Sequence, residues 1–395
     1  MTNEEIINLT ESHVLNTYKR FPVAMVRGAG VRVWDASGRE YLDFTSGIAV
    51  CNLGHCHTAV VRAIQEQAGK LIHISNLYHI EPQAELAGLL TENSFADKVF
   101  FCNSGAEANE AAIKLARKFF SDKGQRRFKV LTMERSFHGR TFATLAATGQ
   151  EKVRKGFEPF LEKFTYIPFN DLEALREAID SETAAVMVEP IQGEGGVNVP
   201  VPGYLEGLKE ICEKHGVLLI FDEVQVGVGR TGRLFAHEHY GVAPHIMTLA
   251  KALGGGMAIG AMLVTDSVAG AFGPGSHAST FGGNPLATAA SLATVRTILD
   301  EGVLQNCVSM GDYILEKLLS FKEQYDFIKN VRGKGLIIGM EVDAVVTDIV
   351  RECLAEGLLV IGAGEHVLRF LPPLTVTAAE VDEMIKILGK VLDRV

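Results

Sequence analysis

The chain lacks the features that mark several large classes of protein. No apolar run approaches the roughly 18 residues that a membrane-spanning helix needs, and no long run of like charges suggests a charged tail. The N-terminus is acidic and has no apolar segment typical of a secretory signal. With a net charge of −10, the surface is poorly suited to nucleic acid. These absences predict a cytoplasmic protein that binds neither nucleic acid nor membranes.

Cysteine is scarce and scattered. The six cysteines form no Cys-x-x-Cys pair, so we expect reduced thiols rather than disulfides. His55-Cys56-His57 and His237-Glu238-His239 resemble metal ligands superficially, but neither has a second cluster at zinc spacing. Gly193–Gly196 lacks the spacing of a dinucleotide-binding loop, and Gly333–Gly335 leads into a predicted strand. We therefore predict no metal site and no dinucleotide site.

The pattern of predicted helices and strands changes along the chain. Residues 1–50 include a predicted hairpin, with strands at Val31–Asp35 and Glu40–Phe44 and turn residues at Ala36–Arg39. From about 55 to 290, short apolar strands alternate with amphipathic helices. This alternation is typical of an α/β fold with a mainly parallel sheet wrapped by helices.

A third pattern of predicted elements follows Pro285. Two long helices are predicted there, then strands at 331–342 and 367–370, then a final amphipathic helix. This part and the N-terminal hairpin are expected to form a second, smaller α+β unit. We predict two domains, a large one of residues 51–288 and a small one of residues 1–50 and 289–395.

Two apolar strands in the middle of the chain run into charged residues. Val217–Phe221 is followed by Asp222, and His245–Ala250 is followed by Lys251, shortly before three glycines. In parallel sheets, chemistry collects at the carboxyl ends of the strands. A lysine with little solvent becomes a neutral nucleophile that can form a Schiff base, and an aspartate can hold a pyridinium proton. Pyridoxal phosphate needs this pair, although a buried ion pair would give the same pattern.

Other segments have an ordinary structural interpretation beside the functional one. Ser104, with Glu107 three residues later, predicts a helix N-cap of the capping-box type. The free N–H groups at such a helix start can bind phosphate, and Gly105 lets a ligand approach closely. Phe137 can stack on a flat cofactor and Arg140 can clamp a carboxylate, or they are a core phenylalanine and a surface arginine.

Three later segments also have both a functional and a structural interpretation. Glu194 lies in a glycine-rich loop that follows a predicted strand. The loop Ala278–Pro285 is rich in hydroxyls and glycines, so it can reach an anion or simply form a turn. Arg369 is flanked by apolar residues, which predicts a buried acidic partner.

In their joint order, these motifs resemble the class III (ω-) aminotransferases among the fold-type I pyridoxal-phosphate enzymes. The resemblance extends from Tyr18 to the C-terminal helix. The motifs that carry it are Asn103–Asn109, Ser136–Thr141, Glu189–Gly196, Phe221–Gln225 with Lys251, and Thr280–Pro285. The resemblance implies the fold-type I architecture, pyridoxal 5′-phosphate as cofactor and a homodimer with shared active sites.

The resemblance also implies roles for single residues. Lys251 would hold the cofactor covalently and then shuttle a proton, and Asp222 would pair with the protonated ring nitrogen. The other implied cofactor contacts are Ser104, Gly105, Ala106, Phe137, Val224, Gln225 and Thr280, with Thr280 reaching the phosphate in the neighbouring subunit. The implied substrate contacts are Tyr18, Arg140, Glu194, Ser279 and Arg369, with Glu194 and Arg369 as a switchable ion pair.

The implied substrates are N-acetylornithine and 2-oxoglutarate. Ile48 stands where the ornithine branch of the family typically has tyrosine, which fits a donor whose α-amine is acylated. The alternatives are ornithine, succinylornithine or 4-aminobutyrate as donor, an aminomutase, or a catalytically silent scaffold. Val226 replaces the threonine common in the family, which predicts a hydroxyl lost near the cofactor ring.

Overall fold

The computed structural model describes residues 1–395 and arranges the strands in three sheets. The strands in chain order are β1 (Met25–Ala29), β2 (Arg32–Asp35), β3 (Glu40–Asp43), β4 (Lys98–Cys102), β5 (Lys129–Met133), β6 (Phe164–Ile167), β7 (Thr183–Val188), β8 (Leu218–Asp222), β9 (Ile246–Leu249), β10 (Gly260–Val264), β11 (Ile328–Lys334), β12 (Ile337–Val342), β13 (Leu358–Leu359), β14 (Ile361–Ala363) and β15 (Val367–Phe370).

Helices connect and cover these strands. They are α1 (Asn3–His13), α2 (Ser46–Ala49), α3 (Thr58–Ala68), α4 (Glu81–Glu92), α5 (Gly105–Asp122), α6 (Phe142–Ala147), α7 (Glu151–Arg154), α8 (Leu172–Ala178), α9 (Tyr204–His215), α10 (Asp266–Ala269), α11 (Pro285–Asp300), α12 (Val303–Gln324), α13 (Val346–Glu356) and α14 (Ala378–Leu392). Two short 3₁₀ helices cover Ala236–Tyr240 and Lys251–Gly254.

The largest sheet has seven strands in the order β4-β10-β9-β8-β7-β5-β6. Neighbouring strands from β9 to β6 pair in parallel, whereas β10 runs antiparallel to both of its neighbours. The predicted mainly parallel sheet is therefore confirmed. The reversed strand β10 was not predicted, because a short apolar run gives no sign of its direction.

Alternate residues of the central strands pack into two different cores. Ile220 of β8 packs with Ile113 and Leu115 of α5 on one face of the sheet. Its neighbour Leu219 packs with Leu205 of α9 on the other face. Each such buried side chain contributes about 1.5–3 kcal/mol of transfer free energy. Burial on both faces explains why these strands are continuous apolar runs rather than alternating ones.

The two other sheets lie outside the predicted large domain. They have the strand orders β1-β2-β3-β13 and β11-β12-β15-β14. The predicted hairpin is confirmed, since β2 and β3 pair antiparallel. The single strand predicted at 331–342 is wrong, because β11 and β12 form a hairpin that turns at Gly335, where φ is +55°. An added Cβ at Gly335 would lie 2.5 Å from the Thr231 carbonyl carbon, so only glycine fits this turn.

The domain boundaries predicted at residues 50 and 288 stay predictions. The largest hydrophobic cluster extends from Val31 to Leu392 and includes Leu249 and Leu263 of the seven-stranded sheet. No helix has the combination of length and apolar content that a membrane crossing requires. No group of three or more His, Cys, Asp or Glu side chains is arranged to hold a metal ion.

A buried arginine joins three distant parts of the chain. Arg230 is 0% exposed. One guanidinium nitrogen donates to the carbonyl oxygens of Leu336 (2.9 Å) and Pro372 (2.5 Å), and the other terminal nitrogen donates to the Asn52 side chain. Arg230 makes no ion pair, and burial lowers its pKa to about 10. Neutral acceptors from three segments therefore solvate this cation.

We expect Arg230→Ala to lower the free energy of unfolding by about 3 kcal/mol or more, because it leaves buried acceptors without donors and opens a cavity. Chemical denaturation measures this change. Arg62→Ala is the matched control, since the Arg62 side chain is 81% exposed and surface ion pairs add little to stability. Equal losses in the two variants would contradict a structural role for Arg230.

Candidate active site

Lys251 lies just beyond the end of β9, on the first residue of a 3₁₀ turn. Its φ of +41° is unusual for a side-chain-bearing residue and costs on the order of 1–3 kcal/mol. Lys251 lines a cavity of about 430 Å³. Burial lowers the pKa of its amine, although the negative charges of Glu194 and Asp222 act in the opposite direction. The lowered pKa increases the fraction of the amine that is neutral and therefore nucleophilic.

Asp222 ends the adjacent strand β8 and is only 3% exposed. Its Oδ2 accepts hydrogen bonds from Asn109 Nδ2 and His138 Nδ1, both at 2.7 Å. Its Oδ1 accepts one from the Val224 amide at 3.0 Å. An ionised carboxylate has about four acceptor sites. Three are occupied, so one site remains for a donor in the cavity.

The start of α5 lies in the same cavity wall. Ser104 Oγ accepts a hydrogen bond from the Glu107 amide at 3.2 Å, so the predicted N-cap is confirmed. The capping box is wrong in one detail, because the backbone amide that donates to the Glu107 carboxylate is that of Asn103 (2.7 Å) and not that of Ser104, whose hydroxyl donates to the same carboxylate at 3.3 Å. The amides of Gly105 and Ala106 have no acceptor within the chain. They are free to bind an anion at this helix N-terminus.

Glycine at position 105 is required by a close contact. An added Cβ there would lie 2.7 Å from Val224 Cγ1 and 2.9 Å from Cγ2. Val224 lines one part of the cavity, and Phe137 lines another. The Arg140 guanidinium is exposed at the cavity and lies 5.5 Å from the centre of the Phe137 ring. A flat apolar ligand therefore has walls to contact, and a carboxylate has a cation beside it.

A buried ion pair forms another part of the site. Arg369 is 0% exposed, and its Nη1 donates to Glu194 Oε1 at 2.7 Å and to Gln225 Oε1 at 2.8 Å. Burial by itself would raise the Glu194 pKa, but the Arg369 charge and hydrogen bond lower it to about 2. Nη2 and Nε of Arg369 are buried without acceptors. The predicted acidic partner of Arg369 is thus confirmed as Glu194, and two donors remain available.

Gln225 is held by this ion pair as well. Its Nε2 donates to Glu194 Oε1 at 3.1 Å while its Oε1 accepts from Arg369. The predicted hydrogen bond from Gln225 to a cofactor ring stays a prediction.

Three of the predicted contacts lie away from the cavity lining within one chain. Tyr18 is 71% exposed and lines a different surface groove. Ser279 Oγ accepts from Asn103 Nδ2 at 3.2 Å, which brings its loop next to the start of α5. Thr280 is exposed. The roles expected of Tyr18, Ser279 and Thr280 stay predictions.

The expectation for Val226 is wrong. Its side chain is 1% exposed and packs in an apolar cluster with Ala49, Ile191 and Val197. It is not part of the cavity lining. Valine therefore suits the apolar cluster that surrounds this side chain.

The sequence interpretation missed two hydrogen-bond donors to Asp222 and one buried acid. Asn109 lies on the apolar face of α5, and a polar residue there is itself a signal of a buried contact. His138 follows Phe137 and gave no separate signal. Glu189 belongs to the predicted motif Glu189–Gly196 but received no role of its own, although it follows the wholly buried strand β7 just as Lys251 follows β9.

Gly227–Gly232 matches the Gly-x-Gly-x-x-Gly spacing and was also overlooked. It follows β8, but no helix begins there. Gly229 has φ of +89° and an added Cβ there would lie 2.8 Å from Leu374 Cδ1. These glycines therefore serve close packing rather than dinucleotide binding.

The residues present fit pyridoxal phosphate. A buried lysine with a lowered pKa, a carboxylate with one free acceptor site and two free amides at a helix N-terminus suit an aldehyde, a pyridinium and a phosphate respectively. Gly105 keeps the wall beside Val224 open for a ring. Together with the seven-stranded sheet, this site defines a fold-type I enzyme that depends on pyridoxal phosphate.

Comparisons with known proteins agree with this class. The family model described as Aminotransferase class-III matches residues 14–392. An acetylornithine aminotransferase from Caldanaerobacter subterraneus subsp. tengcongensis is 52% identical over 392 residues, which cover 99% of this chain and 100% of the relative. The N-acetylornithine aminotransferase structure from Stenotrophomonas maltophilia has 39% identity and a TM-score of 0.85, with 98% of both chains covered.

A third relative is an ornithine aminotransferase from Toxoplasma gondii, which holds pyridoxal phosphate at partial occupancy in its active site. It has 36% identity and a TM-score of 0.96, with 100% of this chain and 95% of that chain covered. The chain belongs to the class III aminotransferases. The predicted fold class and cofactor are confirmed by this membership.

We expect Gly105→Ala to weaken pyridoxal-phosphate binding at least tenfold, because the new methyl displaces Val224 from the cavity wall. Fluorescence titration of the apoenzyme with the cofactor measures this affinity. Gly88→Ala is the control, since an added Cβ there meets nothing within 4 Å and alanine favours a helix. Unchanged affinity in Gly105→Ala would show that the wall tolerates a side chain.

Proposed function

We propose that the protein transfers the ω-amino group of N-acetylornithine to 2-oxoglutarate, with N-acetylglutamate semialdehyde and glutamate as products, as a step of arginine biosynthesis. The observation that carries this proposal is the full-length similarity, 52% over 392 residues, to a relative named for this activity. Other full-length relatives at 49% and 50% identity have the same name.

The chemistry divides between the cofactor and the chain. Pyridoxal phosphate, when bound, supplies an aldehyde that takes up the amino group and a ring that accepts electrons. The amine of Lys251, whose pKa is lowered, would hold that aldehyde, and as a free amine it would be the base that moves a proton at the substrate carbon. Asp222 offers its free acceptor site to the ring nitrogen, and its three donors keep it in position.

The remaining cofactor contacts orient the ring. The amides of Gly105 and Ala106, with the Ser104 cap, bind the phosphate at the start of α5. Phe137 and Val224, which both line the cavity, would contact the ring. A ring fixed in this way needs no reorientation when the proton moves.

The two substrates make different demands on one pocket. N-acetylornithine presents an ω-amine and a distant carboxylate, and Arg140 at the cavity is placed to bind that carboxylate. Glu194 covers Arg369 during this half-reaction, so no free cation attracts the wrong end of the donor. When 2-oxoglutarate binds, the ion pair opens and Arg369 holds its α-carboxylate. The unpaired Nη2 and Nε of Arg369 support this role, because they are buried donors without acceptors.

We further propose a cytoplasmic homodimer in which Ser279 and Thr280 complete the site of the neighbouring subunit. Two observations support a subunit contact at this loop. Leu77 is 86% exposed and Phe281 is 61% exposed, which is unusual for large apolar side chains that lie close together. Asn76 Nδ2 donates to the carbonyls of Ser279 (3.1 Å) and Gly282 (2.8 Å), so the two exposed segments are joined.

The direct test is a panel of amino donors with 2-oxoglutarate, read by glutamate formation and by the cofactor absorbance. We expect the highest kcat/KM for N-acetylornithine and a loss of about tenfold or more for ornithine, because apolar Ile48 stands where the ornithine branch of the family typically has tyrosine. Preference for ornithine, succinylornithine or 4-aminobutyrate would assign the corresponding sibling activity. Turnover without a keto acid would indicate an aminomutase, and a colourless protein would indicate a scaffold.

The ion pair gives a second test. We expect Arg369→Ala to slow the glutamate half-reaction about 10–100-fold more than the N-acetylornithine half-reaction, since only glutamate loses a charge-assisted contact. Single-turnover absorbance changes of each half-reaction measure the two rates. Arg351→Ala, at an exposed ion pair, is the control that should change neither rate. Equal losses in both half-reactions would refute a switch at Arg369.

A further inference from the structure

Glu189 is a buried acid that the proposed mechanism leaves without a role. It follows β7 directly, is 5% exposed and lines the same cavity as Lys251. Its Oε1 accepts a hydrogen bond from the Phe137 amide at 2.9 Å, and its Oε2 accepts one from the Gly193 amide at 3.1 Å. One carboxylate therefore connects two separate loops.

Each of these loops carries a functional wall of the cavity. The first bears Phe137, which lines the cavity. The second continues from Gly193 into Glu194, which pairs with Arg369 at 2.7 Å. Neither loop contains a helix or a strand, although isolated β-bridges pair Gln192 with Asn198 and Glu134 with Gly149. Glu189 and Gln192, whose Nε2 donates to the Glu134 carbonyl at 2.9 Å, are two side chains that join the loops, and Glu189 is the charged one.

The titratable groups around Glu189 come from three other segments. They are His138 after β5, Asp222 at the end of β8 and Lys251 after β9. Burial raises the pKa of Glu189 to about 7, and the negative charge of Asp222 adds to this rise. His138 and the two backbone amides act in the opposite direction without cancelling it. Glu189 is consequently protonated more readily than an ordinary glutamate.

We propose that Glu189 is a positioning residue whose ionised carboxylate ties the Phe137 loop to the Glu194 loop, and so holds the stacking wall and the Arg369 ion pair in one fixed arrangement. Ionisation matters because the two hydrogen bonds use two different oxygens. A protonated carboxyl turns one oxygen into a hydroxyl, which is a donor and a much poorer acceptor. Protonation therefore weakens one of the two contacts by which Glu189 joins the loops.

The inference rests on the proposed function only where it concerns the rate of amino transfer. Retention of the cofactor and ionisation of the carboxyl can be measured whatever the amino donor is. Failure of the substrate assignment would therefore leave these measurements meaningful.

The test is Glu189→Gln in the holoenzyme. The amide nitrogen cannot accept, so one loop contact is lost at every pH. Well above pH 7, we expect kcat/KM about tenfold below wild type, which corresponds to one charge-assisted hydrogen bond. Wild-type activity should fall as pH decreases through about 7, whereas the variant should lack this acid limb. Cofactor affinity should follow the same pattern, because Phe137 is one of the walls.

Infrared difference spectra give a readout that needs no turnover. We expect the wild-type holoenzyme to show a protonated carboxyl band that disappears as pH rises through about 7 and that Glu189→Gln lacks. Glu134→Gln is the matched control, since its exposed side chain lies at the end of β5 and makes no hydrogen bond. A wild-type acid limb and rate in Glu189→Gln, or a wild-type spectrum without such a band, would overturn the proposal.

Discussion

The burial of Lys251 at the end of β9 is the constraint on which the site depends. An ammonium group in this position is disfavoured by desolvation, and nearby carboxylates only partly compensate. The carboxylates must lie close enough to the amine to stabilise its positive charge, and they must also be held by other hydrogen-bond donors. Asp222 is held by three donors and Glu194 by Arg369, and neither forms a direct ion pair with the lysine.

The topology of the seven-stranded sheet explains why these groups meet. Glu189, Asp222 and Lys251 each follow or end one of three adjacent parallel strands, β7, β8 and β9. Parallel strands end at the same edge, so residues far apart in sequence become neighbours. Arg369 reaches this edge from another sheet, through β15. The site is thus an assembly of strand ends, with α5 contributing its N-terminus.

The sequence predicted helices and strands correctly where the pattern and its structural cause both lie within a few neighbouring residues. The hairpin predicted from Val31 to Phe44 and the strand predicted at 367–370 lie within one residue of their predicted bounds, because periodicity and flanking turn residues determine such elements. The prediction of one strand over 331–342 failed, because a hairpin turn at Gly335 divides this segment into β11 and β12. The antiparallel direction of β10 was not predicted for a different reason, because the direction of a strand is set by its pairing with its neighbours.

The sequence by itself determined the chemical residues and the family, because Lys251, Asp222, Arg369 and the glycine-rich segments occur in an order that few proteins share. Only the tertiary structure decided which groups touch. It pairs Arg369 with Glu194 across 175 positions, gives Asp222 its contacts with Asn109 and His138, and places Val226 in an apolar cluster. These contacts link distant segments, and no local periodicity encodes the distance between two strand ends.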